Sequence, residues 1–184
     1  LSKTIALRPQ HFSCYGLKIE DGTDICRYRE SELLPSDDDQ ADMYLYMTDM
    51  MEHYGYPQYE ISNFALPGRE SKHNLKYWRL DDYMGFGPGA HSCVGGVRYS
   101  YVRSLDKYID GVFSSADIID EYEKTGKLDR ASEYIMLGMR TVHGISKDEY
   151  ISIYRSGFDK IEYLLCEYEK KGWAKLRGDR WSFT

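Results

Sequence analysis

Alternating apolar and polar positions in the first 115 residues predict short strands and intervening helices. Residues 11–19 alternate in the manner of a buried strand. Ser36 is a good N-cap, and apolar residues then recur every three or four positions as far as Gly55, which predicts a helix. Residues 56–64 predict a second strand, and residues 104–113 predict a further helix. The order strand, helix, strand predicts a parallel βαβ unit with its functional residues at the carboxyl ends of the strands.

The remainder of the chain has an almost wholly helical period. Helices are predicted over residues 129–141, from a capping box that begins at Ser146, and from Ser156 onward. Residues 173–183 predict a β-hairpin. Three helices followed by a hairpin indicate a small winged-helix-like module.

The composition excludes several classes of protein. Of 184 residues, 42% are hydrophobic and 29% are charged, which excludes a disordered, collagen-like or low-complexity chain. No apolar run approaches the roughly 20 residues that cross a bilayer, and a signal-peptide pattern is missing from the amino terminus. We expect a cytoplasmic globular protein.

The net charge of −6 is carried by the first part of the chain. Residues 1–117 contain 18 acidic and 12 basic side chains, whereas residues 118–184 contain 12 of each. This step coincides with the change from strands and loops to helices. We therefore predict one domain over residues 1–115 and a second over residues 116–184.

The cysteines Cys14, Cys26, Cys93 and Cys166 lie far apart in the sequence. None of them forms the closely spaced pair of a zinc or iron–sulfur site, so we predict reduced thiols and no metal site. The chain starts at Leu1 in a predicted helix end, which suggests a portion of a longer protein.

A polar cluster follows the second predicted strand. Tyr59, Glu60, Ser62 and Asn63 lie near its end, where parallel sheets bind ligands. A buried polar residue there either contacts a ligand or forms an internal hydrogen bond, and the residues alone leave both interpretations open.

A second cluster contains His73 and Tyr77, which share one face of a short predicted helix. An imidazole is a good axial ligand of haem iron, and the tyrosine could ligate or pack beside the tetrapyrrole. A lone histidine on a helix is usually a surface residue, and residue chemistry alone favours that interpretation.

A third cluster, residues 85–92, is rich in glycine and allows close approach of the backbone to a ligand. Ala90 could lie flat against a base. The segment lacks the spacing of the known phosphate-binding fingerprints.

In their order and spacing, these clusters resemble the radical SAM family of oxygen-independent coproporphyrinogen III oxidases, and most closely its haem-chaperone branch. The resemblance covers nearly the whole chain and rests on these strings: HFSCYGL, EDGT, YEISNFA, HNLKYW, GFGPGAHS, VRYSYV and EYIMLGMRTVHGIS. It implies an α/β fold, namely the second half of an open (β/α) barrel followed by the helical C-terminal domain of the family.

The resemblance also implies which residues bind ligands. His73, Asn74 and Tyr77 match the HN-x-x-Y motif that is associated with haem, and this match outweighs the surface interpretation of His73. The segment with Gly87, Gly89 and Ala90 resembles the one that contacts the adenosine side of S-adenosylmethionine. The ligand face would further include four residues: Tyr15, Glu60, Asn63 and His91. Tyr59 and Tyr83 would lie near this face.

In the family, the four-iron four-sulfur cluster and S-adenosylmethionine are bound by a C-x-x-x-C-x-x-C loop, which is absent here. We therefore expect no catalytic residue in this fragment and no activity of the fragment alone. The expected function is that of a haem-binding chaperone in porphyrin and haem metabolism, with an unknown haem-accepting protein as partner. The exposed edges of a half barrel also favour a homodimer.

Two alternatives stay open. The parent could be a true oxidase that decarboxylates coproporphyrinogen III by a radical mechanism. The C-terminal module could bind nucleic acid, because basic residues surround its hairpin, namely Lys170, Lys171, Lys175, Arg177 and Arg180. A neutral domain in an acidic protein argues against nucleic acid as a partner.

Overall fold

The computed structural model of the chain describes residues 1–31, 33–155 and 157–184. It is a mixed α/β structure whose described strands form antiparallel sheets. The chain divides into two units, Leu1–Ser71 and Lys72–Thr184. The predicted boundary near residue 115 falls inside the second unit and stays a prediction. The predicted helix start at Ser156 lies outside the described residues.

The first unit contains a long helix and a three-stranded sheet. Its elements are α1 (Ser2–Ile5), β1 (His11–Ser13), a 3₁₀ helix (Asp24–Tyr28), α2 (Asp37–His53), β2 (Gln58–Glu60) and β3 (Asn63–Ala65). The helix α2 begins as predicted. The Ser36 hydroxyl accepts from the amide of Asp39, and the Asp39 carboxylate accepts from the amide of Ser36, both at 3.1 Å. The Asp39 carboxylate also accepts from the Ser36 hydroxyl at 2.7 Å, and the two hydrogen bonds that Ser36 donates to this carboxylate lower the pKa of Asp39.

The predicted parallel βαβ unit is wrong. The strand order is β1-β3-β2, and β3 pairs antiparallel with both neighbours. The segment predicted as one strand over residues 56–64 reverses at Ile61, so that its second half lies between β1 and β2. The Ile61 carbonyl accepts hydrogen bonds from Tyr44 and Gln58, each at 2.9 Å. Because side chains satisfy this carbonyl, the chain can turn there.

The core of the first unit lies between α2 and the sheet. The phenyl ring of Phe12 packs edge-on against Tyr56 at 4.8 Å between centroids. Met51 of α2 and Phe64 of β3 are fully buried beside this pair. Burial of these apolar side chains stabilises the short strands, which would be marginal alone.

The second unit contains two sheets and most of the helices. Its elements are α3 (Lys72–Arg79), β4 (His91–Val94), β5 (Val97–Tyr101), α4 (Leu105–Ser114), β6 (Ile119–Lys124), α5 (Lys127–Gly138), β7 (Ile145–Ser146), α6 (Lys147–Tyr154), α7 (Asp159–Lys170), β8 (Ala174–Arg177) and β9 (Arg180–Phe183). The strands β4, β5 and β6 form one meander, and β7, β9 and β8 form the other sheet in that order. The predicted cap at Ser104 and the predicted terminal hairpin are confirmed.

The C-terminal sheet packs on a second apolar core. Ile145, Phe158 and Trp181 are at most 3% exposed and lie in one cluster. The predicted capping box at Ser146 is only half present: the Ser146 hydroxyl accepts from the amide of Glu149 at 3.1 Å. The Glu149 carboxylate instead accepts hydrogen bonds from Tyr134 and Arg180, each at 2.8 Å. It thereby ties α5 and β9 to the start of α6.

No helix in the described ranges is both long and apolar enough to span a membrane.

Candidate functional site

The helix α3 presents His73 and Tyr77 as a hydrogen-bonded pair. Their spacing of four residues places them on one helix face. The imidazole Nε2 of His73 lies 2.8 Å from the phenol oxygen of Tyr77, and the rings meet edge-on at 5.1 Å. Both side chains are exposed. A ligand in solution can therefore reach the imidazole directly.

Tyr83 packs against Tyr77 of this pair. The ring of Tyr77 contacts that of Tyr83 edge-on, at 4.6 Å between centroids. Tyr83 in turn forms two backbone hydrogen bonds of 2.9 Å with Cys93 of β4. Burial raises the pKa of Tyr83, with further contributions from Cys93 and Tyr77, so Tyr83 is a neutral phenol at physiological pH. A hydrogen-bonded strand edge thus positions the ring on which Tyr77 rests.

A cavity of about 200 Å³ lies next to this pair in the second unit. It is lined by Lys76, Tyr77, Trp78, Leu80, Asp81, Tyr83, Cys93, Arg98 and Leu137. The indole nitrogen of Trp78 is buried without a hydrogen-bond partner among the described residues. The guanidinium of Arg140 lies 5.2 Å over the indole ring, which is a cation–π contact. The wall of the cavity thus combines aromatic and aliphatic side chains with charged ones.

Arg98 is one of three charged residues in the cavity wall, with Lys76 and Asp81. It makes two parallel hydrogen bonds to the carboxylate of Glu133, at 2.7 and 2.8 Å. These bonds raise the pKa of Arg98. The sequence pattern did not indicate Trp78, Cys93 and Arg98 as members of this site, although two of the motif strings contain Trp78 and Arg98. Their approach depends on the antiparallel pairing of β4 and β5, which the sequence pattern did not predict.

The glycine-rich segment connects Tyr83 to β4. The amide of Gly85 donates to the hydroxyl of the buried Ser92 at 3.0 Å, and a side chain at Gly85 would clash with the carbonyl oxygen of His91. Gly87 has a φ of +103°, which favours glycine. Because the backbone of Gly85 lies so close to that of His91, the glycine-rich segment packs directly against β4.

The amides of the predicted adenosine segment are used within the chain. Gly87 donates to the hydroxyl of Tyr108 at 3.3 Å, Gly89 to the carbonyl of Val102 at 3.0 Å, and Ala90 to the carbonyl of Gly87 at 3.2 Å. A ligand at this loop would not be bound by those three amides in the present conformation. The predicted contact of Gly87, Gly89 and Ala90 with adenosine stays a prediction, as does a ligand role for the exposed His91.

Glu60 and Asn63, in the first unit, form an internal polar network. Both are at most 3% exposed. The side-chain amide of Asn63 donates to the Glu60 carboxylate, and its oxygen accepts from the hydroxyl of Ser13 at 2.6 Å. The amide of Ser62 also donates to the Glu60 carboxylate, at 3.3 Å. These bonds support the internal interpretation that the sequence left open, because they join the three strands of this sheet.

The other tyrosines of the predicted ligand face also belong to the first unit. Tyr59 lies 2.7 Å from Nε2 of His11 through its hydroxyl. Tyr15 is 73% exposed and borders an apolar groove beside Met43 and Met47 of α2. A ligand role for Tyr15, Glu60 and Asn63 stays a prediction.

The basic hairpin is partly neutralised by its own neighbours. Lys170 pairs with Glu167 at 2.6 Å, and Arg180 pairs with Glu149 at 2.8 Å. Lys171 lies 4.7 Å over the ring of Trp173. These contacts reduce the positive potential by which a protein attracts the phosphate backbone of a nucleic acid.

A protein metal site needs several ligating side chains close together. In residues 1–31, 33–155 and 157–184, no group of three histidine, cysteine or acidic side chains is arranged to hold a metal ion. The four cysteines are free thiols on separate elements. The donor set of this part of the chain therefore does not fit an iron–sulfur cluster.

Comparison with known proteins gives several relatives of similar sequence. No protein-family model matches the chain. The haem chaperone HemW of Lactococcus lactis is 34% identical over 163 residues, which are 88% of this chain and 42% of the relative. The haem chaperone HemW of Bacillus subtilis is 34% identical over 175 residues, which are 94% of this chain and 46% of the relative. The chain is thus similar to part of the haem chaperone HemW. It spans about half the length of these curated relatives.

The fold agrees with this relationship. The solved coproporphyrinogen III oxidase HemN of Escherichia coli, a radical SAM enzyme, matches with a TM-score of 0.73. The match covers all of this chain and 46% of the oxidase, at 14% sequence identity, so it concerns the fold alone. The predicted resemblance to the radical SAM, coproporphyrinogen oxidase-like family and to its haem-chaperone branch is confirmed.

Proposed function

We propose that this chain binds haem through α3 and forms the haem-binding part of a longer radical SAM-type chaperone. The observation that carries the proposal is the exposed pair of His73 and Tyr77, in which the ring of Tyr77 packs on that of Tyr83. A neutral imidazole is a strong ligand of haem iron. The helix α3 presents that of His73 to solvent. The names of the relatives support the choice of haem over other ligands.

In this proposal the Nε2 atom of His73 is the iron ligand. That atom is engaged with the Tyr77 hydroxyl in the described conformation, so haem binding requires the hydroxyl to move away. The neighbouring Asn74 belongs to the same motif and would contact the bound tetrapyrrole. Because the bond to Tyr77 is exposed, water can replace it at small cost. A pair of this kind suits a chaperone, which must both bind and release its cargo.

The iron–sulfur cluster and S-adenosylmethionine of the family would be supplied by the remaining part of the parent protein. When bound, they provide a reducible cluster and a source of a carbon radical. Gly87, Gly89 and Ala90 would border the adenosine side. The close packing of Gly85 on β4 would fix the position of that border.

The finer structural predictions belong to the same proposal. We propose that residues 1–115 complete an open (β/α) barrel in the parent and that residues 116–184 form a winged-helix-like domain. The cargo would pass to a haem-accepting protein of unknown identity, within the cytoplasm.

Two measurements on the full-length parent test this function. With its cluster and S-adenosylmethionine present, the parent should bind one haem and transfer it to apomyoglobin, which is a generic acceptor. It should not convert coproporphyrinogen III to protoporphyrinogen IX under the same conditions. Conversion without haem binding would contradict the proposal and favour the oxidase alternative.

A further inference from the structure

The strand β6 is an edge strand that is exposed on both faces. The sheet order β4-β5-β6 leaves β6 paired on one side, with β5. All six of its residues are exposed, and Tyr122 at its centre is 67% exposed. Six-residue edge strands with an exposed aromatic centre are templates for a further strand.

The register shows which backbone groups face outward. The amide of Thr125 donates to the carbonyl of Gly96, and the amide of Tyr101 donates to Ala90 on the opposite side of β5. Bonds in an antiparallel pair alternate, so Glu121 and Glu123 bond to β5. The backbone groups of Tyr122 and Lys124 consequently point away from the sheet. They offer two donor and acceptor pairs to an incoming strand.

The charge of the edge indicates the partner. Asp117, Asp120, Glu121 and Glu123 lie within one short segment, in which Lys124 is the single basic residue. Arg98, which lies opposite Glu123 in the register, pairs with Glu133 instead. Among the described residues, Asp120, Glu121 and Glu123 form no ion pair, so their carboxylates are available to an external cation. Pairing of β6 with β6 of a second copy would bring like charges together, which is destabilising.

We propose that β6 binds an extended lysine- or arginine-rich segment of a partner protein as a fourth strand of this sheet. Backbone bonds at Tyr122 and Lys124 would give affinity. Glu121 and Glu123 would select basic side chains on one face, while Tyr122 with its cross-strand neighbour Tyr99 would contact apolar side chains on the other. This inference does not depend on haem binding.

A labelled peptide that alternates lysine and valine over six residues is the probe. We expect saturable binding to the 184-residue chain by fluorescence anisotropy. Hydrogen exchange of the wild-type chain should show the amides of Tyr122 and Lys124 protected by about tenfold on saturation, because they become hydrogen-bonded. A peptide that alternates glutamate and valine should not bind.

Two variants test the mode of binding. Tyr122→Pro removes an outward amide while leaving the bonds to β5, and it should weaken peptide binding by about tenfold. The double variant E121K/E123K should abolish peptide binding. This variant tests the proposal even if Tyr122→Pro misfolds. Leu176→Pro makes the matched change on the edge strand β8, beside Lys175 and Arg177, and should leave binding unchanged. Glu169→Lys is the charge control on α7.

Several results would overturn the proposal. They are the absence of saturable peptide binding, equal binding of the acidic peptide, and unchanged binding by a folded Tyr122→Pro variant. Protection of the Tyr122 amide in the peptide-free full-length parent would show that the parent covers this edge. A dimer of the 184-residue chain that Tyr122→Pro dissociates would assign the edge to a second copy.

Discussion

The imidazole Nε2 of His73 and the phenol oxygen of Tyr77 lie 2.8 Å apart on the exposed face of α3. The Tyr77 phenol and haem iron would compete for this nitrogen, because Nε2 cannot bond to both at the same time. Tyr77 is held by the ring of Tyr83, and Tyr83 is held by β4. The pair is thus a preformed unit.

Replacement of Tyr77 by phenylalanine should preserve haemin binding and tighten it by about two- to fivefold, because the hydroxyl that occupies Nε2 is removed. The measurement is a titration followed by the Soret absorbance. Tyr163→Phe, at an exposed position of α7, is the matched control and should have no effect. Loss of binding in Tyr77→Phe would instead identify the phenol oxygen as the ligand of iron.

Gly85→Ala should destabilise the second unit by about 1–3 kcal/mol, because the added methyl group would clash with the carbonyl oxygen of His91. Urea denaturation measures this change in the free energy of unfolding. Gly16→Ala is the control, since no heavy atom lies within 4 Å of the position that its methyl group would take. Equal stability of both variants would show that the loop does not close on β4 as described.

Gly144→Ala should cost more than about 3 kcal/mol, because a methyl group there would overlap the carbonyl of Trp181 in the C-terminal core. Gly178 has a similar φ, +64° compared with +67°, but no heavy atom lies near its methyl position. Gly178→Ala should therefore cost only about 1 kcal/mol of backbone strain. The difference between the thermal unfolding midpoints of Gly144→Ala and Gly178→Ala measures the cost of the steric overlap apart from the backbone strain. Similar midpoints would refute the close packing of Gly144 on β9.

The hydrogen bond from Arg180 lowers the pKa of Glu149 below its usual 4.5. A carboxyl group with a lowered pKa in the folded state stabilises the fold above its unfolded pKa, and this contribution is lost as the pH falls through the folded value. Glu149→Gln should therefore be less stable than the wild type at pH 7, by about 1 kcal/mol or less, since the pair is partly exposed. The difference should shrink as the pH falls below 4.5 and disappear in acid below the folded pKa of Glu149. Glu169→Gln should follow the wild type throughout, and a pH-independent difference for Glu149→Gln would contradict this role.

The sequence predicted features that depend on neighbouring residues. The caps at Ser36 and Ser104 and the terminal hairpin are confirmed, because each rests on a local hydrogen bond or turn. The motif spacing likewise brought His73 and Tyr77 onto one helix face. Residues 56–64 were predicted as one strand because their apolar pattern does not reveal the turn at Ile61, which distant side chains stabilise.

The residues around His73 and Tyr77 are held by contacts between residues that are not neighbours in the sequence. Tyr83 meets Cys93 across a bridge, and Arg98 finds Glu133 of α5 some 35 residues away. No local pattern encodes such contacts. The acidic edge strand β6 was missed for a related reason: every side chain is exposed, so the apolar alternation that indicates a strand is absent.

The central claim is that His73 ligates haem, and a haemin titration of the 184-residue chain tests it most directly. We predict one haem per chain, a Soret band typical of histidine ligation, and at least about a tenfold loss of affinity in His73→Ala. His53→Ala, at an exposed histidine that packs beside Tyr54, should change the affinity less than about twofold. An unchanged titration in His73→Ala, or a wild-type chain that does not saturate, would contradict the account.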